Sequence, residues 1–218
     1  MYKRQVLTNA SNDSVQCLTF DDLYGLVGPE SEGVKTWSEA TAKGATSKLP
    51  DAPLEIFAPG TESGTYDSFY ELAIKDIADE RGVPEDAQIR PDYGGLANDN
   101  EIISGLQSVD SSFGWVGFAF AEEATGVREI EVDGGEGCVA PSAETVADGT
   151  YPLARPLFIY VNNEKLADNA ALSDFVDFYL SDEGMAAVPE VGYVPLTDAD
   201  LEATRTTWTQ AKAGAAKS

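Results

Sequence analysis

Strands that alternate with amphipathic helices predict an α/β fold with a mixed or mostly parallel sheet. Three stretches carry that prediction. Residues 53–58 (PLEIFA) form a short apolar strand that runs through a small-residue loop into a helix. Along that helix Tyr66, Phe69, Tyr70, Ala73, Ile74, Ile77 and Ala78 fall at offsets 0, 3, 4, 7, 8, 11 and 12, which is one helical face. Residues 113–118 (FGWVGF) read as a strand whose glycines allow close approach, and a capped helical stretch precedes them. Residues 155–161 (RPLFIYV) form a second apolar strand, followed by a helix with Leu172, Phe175, Val176, Tyr179 and Leu180 on one face.

The remaining elements follow in order. Residues 6–8 close a strand. The opening five residues are oddly basic for this chain and join straight onto that strand, so they read as a remnant and are set aside. Thr19 is the expected N-cap of the next helix, with Asp22 at its third position. Residues 25–33 are turn-rich, and residues 34–37 lie near a short helix. Gly82 and Pro84 stop the strongly periodic helix. Asn98 opens a second capping signature, continued by Ile102, Ile103, Leu106 and Val109. Residues 128–132 predict a strand ended by a turn at Asp133, Gly134 and Gly135; residues 142–147 predict a short helix and residues 201–213 a final, weakly amphipathic one. Trp37, Trp115 and Trp208 are expected in packing roles.

Composition narrows the functions. The chain has 218 residues, 43% of them hydrophobic, enough for a core in one large domain or two small ones. It carries 38 acidic and 14 basic residues, a net charge of −24. Such a surface repels nucleic acid and anionic membrane, and is most simply a solubilising acidic surface. No histidine is present, which removes Ser-His-Asp and Cys-His catalysis, the usual base near neutral pH and the commonest metal ligand. Cys17 and Cys138 have no CxxC partner, so zinc is not expected; they form a disulfide, the favoured reading, or two buried thiols. No stretch approaches the 18 or so apolar residues of a membrane span.

One segment carries chemistry. The 53–58 strand leads into Pro59, Gly60, Thr61, Glu62, Ser63, Gly64 and Thr65, and then into the periodic helix. The first N–H groups of a helix lack partners, and its dipole places about half a positive charge there. Anions bind at such ends. Gly60 and Gly64 let a ligand approach the backbone, and the hydroxyls of Thr61, Ser63 and Thr65 can donate to oxyanion oxygens. The plain alternative is that Ser63 or Thr65 only caps the helix. Glu62 beside an anion site repels a fully ionised ligand and favours one with a proton to donate; its simpler role is a first-turn acid complementing the dipole. The segment is not a Walker A loop, because no Gly-Lys-Ser/Thr follows, and not a nucleophile elbow, because Thr61 stands where a glycine belongs.

The run from Pro59 to Asp67 resembles the PGTDSGTFDYF signature of PstS-type phosphate-binding proteins. Further stretches resemble that family in the same order: 17–19, 34–37, 99–102, 113–120, 138–146 and 155–161. The resemblance covers about residues 6–213 and implies a type II periplasmic-binding-protein fold, in which two α/β lobes joined by crossing strands close over phosphate. It implies residues 1–11 as a remnant and the end of the first crossover strand, 12–151 as the phosphate-binding lobe, 152–161 as the second crossover, and 162–218 as the C-terminal part of the other lobe. The N-terminal segment of that other lobe is expected to be missing, and with it any signal peptide. Ser63, Gly64 and Thr65 match the family's phosphate-contacting triplet, with Thr61 and Glu62 beside it. Some relatives place an arginine four residues before the serine, where this chain has Pro59. Arg155 is then the candidate cation by its place near the crossover, against a structural role at a strand start.

The function so implied is extracytoplasmic capture of inorganic phosphate, in the periplasm or at the cell surface, for delivery by a monomer to an ABC permease in the membrane. No cofactor, metal or covalent chemistry is implied. The competing readings are another tetrahedral oxyanion, sulfate or molybdate, and a serine hydrolase using Ser63.

Overall fold

The computed structural model describes residues 2–215. In chain order the elements are β1 (Tyr2–Asn9), β2 (Cys17–Thr19), α1 (Phe20–Val27), β3 (Glu55–Phe57), α2 (Gly64–Phe69), a π-helical turn (Tyr70–Ile74), α3 (Lys75–Glu80) and α4 (Asp99–Ser108). Then come β4 (Ser112–Gly117), α5 (Phe118–Glu123), β5 (Val127–Glu129), β6 (Glu131–Asp133), β7 (Cys138–Val139), α6 (Ala143–Ala147) and β8 (Ala154–Arg155). Four helices finish the chain: α7 (Asn163–Asp168), α8 (Ala170–Tyr179), α9 (Asp182–Glu190) and α10 (Asp198–Ala215).

The sheet is mixed, with β1 at its centre. The order is β3-β4-β1-β5, with β8 also paired to β1. β1 runs antiparallel to β4, β5 and β8, whereas β3 and β4 are parallel. Side chains alternate across a strand, so β1 feeds two cores. Val6 packs with Trp37, Phe69, Phe113 and Trp115 on one face, and Leu7 packs with Ile102, Leu106 and Val116 on the other. The Phe69 and Trp115 rings stack with centroids 4.2 Å apart. Trp37 meets Phe113 edge-on at 5.5 Å and donates Nε1–H to the Ser111 carbonyl at 2.9 Å. The 113–118 glycines do permit close approach: a Cβ on Gly114 would sit 1.9 Å from the Phe57 carbonyl oxygen.

A smaller sheet, β2-β6-β7, stands beside the first. Cys17 in β2 and Cys138 in β7 are joined by a disulfide. The capping expected before α1 is present: Asp22 N–H bonds Thr19 Oγ1 at 3.1 Å, and Thr19 N–H bonds Asp22 Oδ2 at 2.9 Å. Asp22 also receives N–H bonds from Thr46 and Ser47, which pin the loop after a 3-10 helix, Ser38–Lys43, to the start of α1. Asp133 Oδ1 accepts from the N–H groups of Gly135 and Gly137, which closes the expected tight turn.

Five sequence expectations are corrected. The opening segment set aside as a remnant is part of β1, where Arg4 and Gln5 are buried. The strand expected over 128–132 is two strands, because the chain crosses from one sheet to the other: β5 pairs with β1 and β6 with β2, with buried Ile130 between them. Turn-rich 25–33 begins inside α1, and Val109 is the extended C-cap of α4 and not its last turn. The strand expected over 155–161 stops at Arg155. Among the described residues its last pair is Tyr2↔Arg155, and no described strand lies beside residues 156–161. Without a neighbouring ladder an apolar run gains nothing from strand geometry, and Phe158 and Tyr160 stand 70% and 92% exposed.

The C-terminal helices make their own small cluster of Leu166, Val176, Leu180, Trp208 and Ala215. Only half of the apolar face expected on α8 is covered: Val176 is buried, while Phe175 and Tyr179 face solvent. No helix among the described residues is long and apolar enough to cross a membrane.

Candidate functional site

The loop after β3 opens at the C-terminal edge of two parallel strands, the edge where open α/β sheets bind ligands. Two features set its shape. Ser63 N–H bonds the Gly60 carbonyl at 3.1 Å, closing a turn over Gly60–Ser63, and the Asp67 N–H bonds the Ser63 carbonyl at 3.1 Å, starting the helix. Tyr93 Oη–H donates to the Pro59 carbonyl at 2.7 Å, and Leu96 N–H to that of Ala58 at 3.0 Å, so a second strand-like segment braces the loop. The brace demands glycine at position 95, where a Cβ would lie 2.8 Å from the Gly60 α-carbon.

Ser63 is the N-cap. Its Oγ accepts from Thr65 N–H at 3.2 Å. This is the capping role weighed against ligand binding, yet it uses only an acceptor lone pair. The hydroxyl proton is still available, and among the described residues Ser63 Oγ donates to nothing. The Gly64 N–H likewise has no partner among them, and Gly64 is exposed. Thr65 is different: its side chain is buried and its N–H is held by Ser63. Behind it a helical run continues without a break from Gly64 to Glu80 through the π turn, so the dipole at Gly64 belongs to a long element. The apolar spacing gave no sign of that π turn, although Ala73, Ile74 and Ala78 stay buried across it.

The charges around the loop are mixed. The Glu62 carboxylate folds back over Gly60, where a Cβ would meet Oε2 at 2.5 Å. Thr61 and Glu62 are exposed. Tyr93 is pushed well above the usual phenol range, first by burial and then by neighbouring Tyr66 and the Glu62 charge. Arg155 reaches the same helix one turn further on: Nη2–H donates to Ser68 Oγ at 2.8 Å and Nη1 pairs with Glu71 at 2.5 Å. Ser68 Oγ–H in turn donates to the Gly64 carbonyl at 2.7 Å. Arg155 is thus linked to the triplet through Ser68 and already holds an acid, which is the structural role considered for it.

Two residues escaped the sequence reading. Asp99, the first residue of α4, is half-buried, and its carboxyl is pushed up by burial while a backbone bond from Gly117, at the end of β4, pulls the other way. The Asn98 cap was the available signal, since it fixes Asp99 at the helix start. Arg4 is buried at the register position opposite Gly117, a cation in the stretch that the sequence reading had set aside.

Comparison with known proteins agrees with this architecture. Residues 6–183 match the model of the PBP superfamily domain. Protein SphX of Synechocystis sp. is 37% identical over 196 residues, 88% of this chain and 54% of that protein. The phosphate-binding protein PstS of Staphylococcus haemolyticus is 31% identical over 191 residues, 87% of this chain and 54% of that protein. The chain therefore spans about half the length of these curated relatives. A crystal structure described as a possible phosphate binding protein from Planctomyces limnophilus superposes with a TM-score of 0.78 at 30% identity, covering 99% of this chain and 70% of that one. The chain belongs to the PBP superfamily, among its PstS-type members.

Proposed function

We propose that this chain carries the anion-binding loop of an extracytoplasmic phosphate receptor that delivers inorganic phosphate to an ABC permease. One observation carries the reading: the Ser63 hydroxyl proton and the Gly64 N–H are uncommitted at the head of a long helix, at the ligand-binding edge of the sheet. The ligand is held without covalent chemistry. Ser63 and Gly64 donate to its oxygens, Thr65 completes the triplet, and Thr61 and Glu62 border it. The Glu62 carboxylate favours a ligand that still has a proton to donate, which HPO4²⁻ has and sulfate lacks.

Arg155 is the proposed counter-charge, recruited if Glu71 releases it. On this reading residues 12–151 form the lobe bearing the site, 152–161 cross out of it, and 162–218 belong to the other lobe. The relatives' names support phosphate as the ligand class. The Cys17–Cys138 disulfide supports an oxidising compartment outside the cytoplasm.

The test is the double variant Ser63→Ala with Thr65→Ala. Losing charge-assisted hydrogen bonds should weaken phosphate binding by about 2–5 kcal/mol, read by calorimetry. Unchanged affinity in that variant sinks the site assignment. A preference for sulfate or molybdate would move the reading to the other oxyanions.

A further inference from the structure

Ser68 lies off the apolar face that the helical spacing picks out, yet it is only 1% exposed. Its hydroxyl has two commitments. It accepts from Arg155 Nη2–H at 2.8 Å and donates to the Gly64 carbonyl at 2.7 Å. That carbonyl shares a peptide with the Thr65 N–H, which donates to Ser63 Oγ at 3.2 Å. Among the described residues the Ser63 hydroxyl donates to nothing further. The bonds therefore run one way: from the guanidinium to the Ser68 hydroxyl, through the Gly64–Thr65 peptide, to the Ser63 hydroxyl. Every donor in the series points toward the loop.

An oriented chain of this kind is cooperative. A hydroxyl that accepts a charge-assisted bond becomes a stronger donor, and a peptide whose carbonyl accepts one offers a stronger N–H. The Arg155 charge does little at longer range, because Glu71 holds Nη1 at 2.5 Å and offsets it. What reaches Ser63 is carried by the bonds. We propose that Ser68 is a positioning residue of the anion loop, relaying the polarisation of Arg155 to the Ser63 hydroxyl so that it donates more strongly to an oxyanion. The relay rests on the phosphate reading and deepens it: Arg155 serves the ligand without leaving Glu71 and without touching the ligand. The ordinary alternative is a serine that only back-bonds to the carbonyl four residues before it, as helical serines often do.

Calorimetric titration with inorganic phosphate, beside thermal melting without it, separates these roles. Ser68→Ala keeps a good helix former at the position and should weaken phosphate binding at least about threefold, the low end for residues that share one hydrogen-bond network. Ser68→Thr retains a hydroxyl able to bond the same carbonyl and should recover most of that loss. A cycle with Arg155→Gln decides the route. That substitution should weaken binding at least about threefold in the parent and change it little once Ser68 is replaced by alanine. Losses that simply add, or a Ser68→Ala variant that moves the melting temperature and leaves phosphate affinity alone, overturn the relay while the phosphate reading stands. A parent chain that takes up no phosphate removes that reading and the relay with it.

Discussion

The body built on β1 and the C-terminal helices obey the same sequence rule with opposite results. In the body, the apolar positions spaced along α2 and α3 are covered by the sheet: Phe69 lies on Trp115, and both are fully buried. In α8 the spacing is just as regular, yet Phe175 and Tyr179 face solvent while Val176 and Leu180 are covered. Periodicity states that a face is apolar and is silent about what covers it. Burial, and with it stability, depends on a neighbour that the local pattern does not encode.

Substitutions can break this contrast. Trp115→Ala should cost about 3–5 kcal/mol in denaturant unfolding, because the site is closed on all sides and leaves a cavity. Phe178→Ala, equally aromatic but 56% exposed, should stay within about 0.5 kcal/mol. Equal losses at the two positions would mean that α8 is covered after all.

Asp22 sharpens the contrast on the polar side. It is fully buried and accepts from Thr19, Thr46 and Ser47. Burial pushes its carboxyl up, but the bonds from Ser47 and Thr19 outweigh that and hold it below the ordinary 3.8. A depressed carboxyl stabilises the fold in full above that ordinary value, and the contribution is lost as pH falls through the lower folded value. Asp22→Ala should cost about 3 kcal/mol near neutral pH, with the gap to the parent closing as the solution is acidified. A gap that persists at low pH would assign the loss to packing and not to the carboxylate.

The smallest effect concerns Gln5. Its side-chain Nε2 and Oε1 are buried with no hydrogen-bond partner among the described residues. Gln5→Leu should raise stability by about 1 kcal/mol, the opposite sign to the other buried positions. A loss on this substitution would show that the amide is satisfied.

What was legible in the sequence was local. The Thr19 capping box, the Asp133 turn and the face running from Tyr66 to Ala78 each depend on residues within a few positions of one another, and each is present. The SGT loop was legible for the same reason, because a strand end, two glycines and a helix start are contiguous. What was not legible depends on partners far along the chain. Ile130 parts two strands only because β1 and β2 lie in different sheets. The run at 156–161 has strand composition, and nothing within it tells that its ladder stops at Arg155. The brace from Tyr93 to Pro59 spans 34 positions and left no pattern to find.

The measurement that tests the central claim most directly is a calorimetric titration of this chain with phosphate and, separately, with sulfate. Saturable binding of phosphate, weak or absent binding of sulfate, and loss of the phosphate signal on Ser63→Ala with Thr65→Ala are the results this account predicts. Sulfate binding as tight as phosphate, or a phosphate signal that the double variant leaves unchanged, would contradict it.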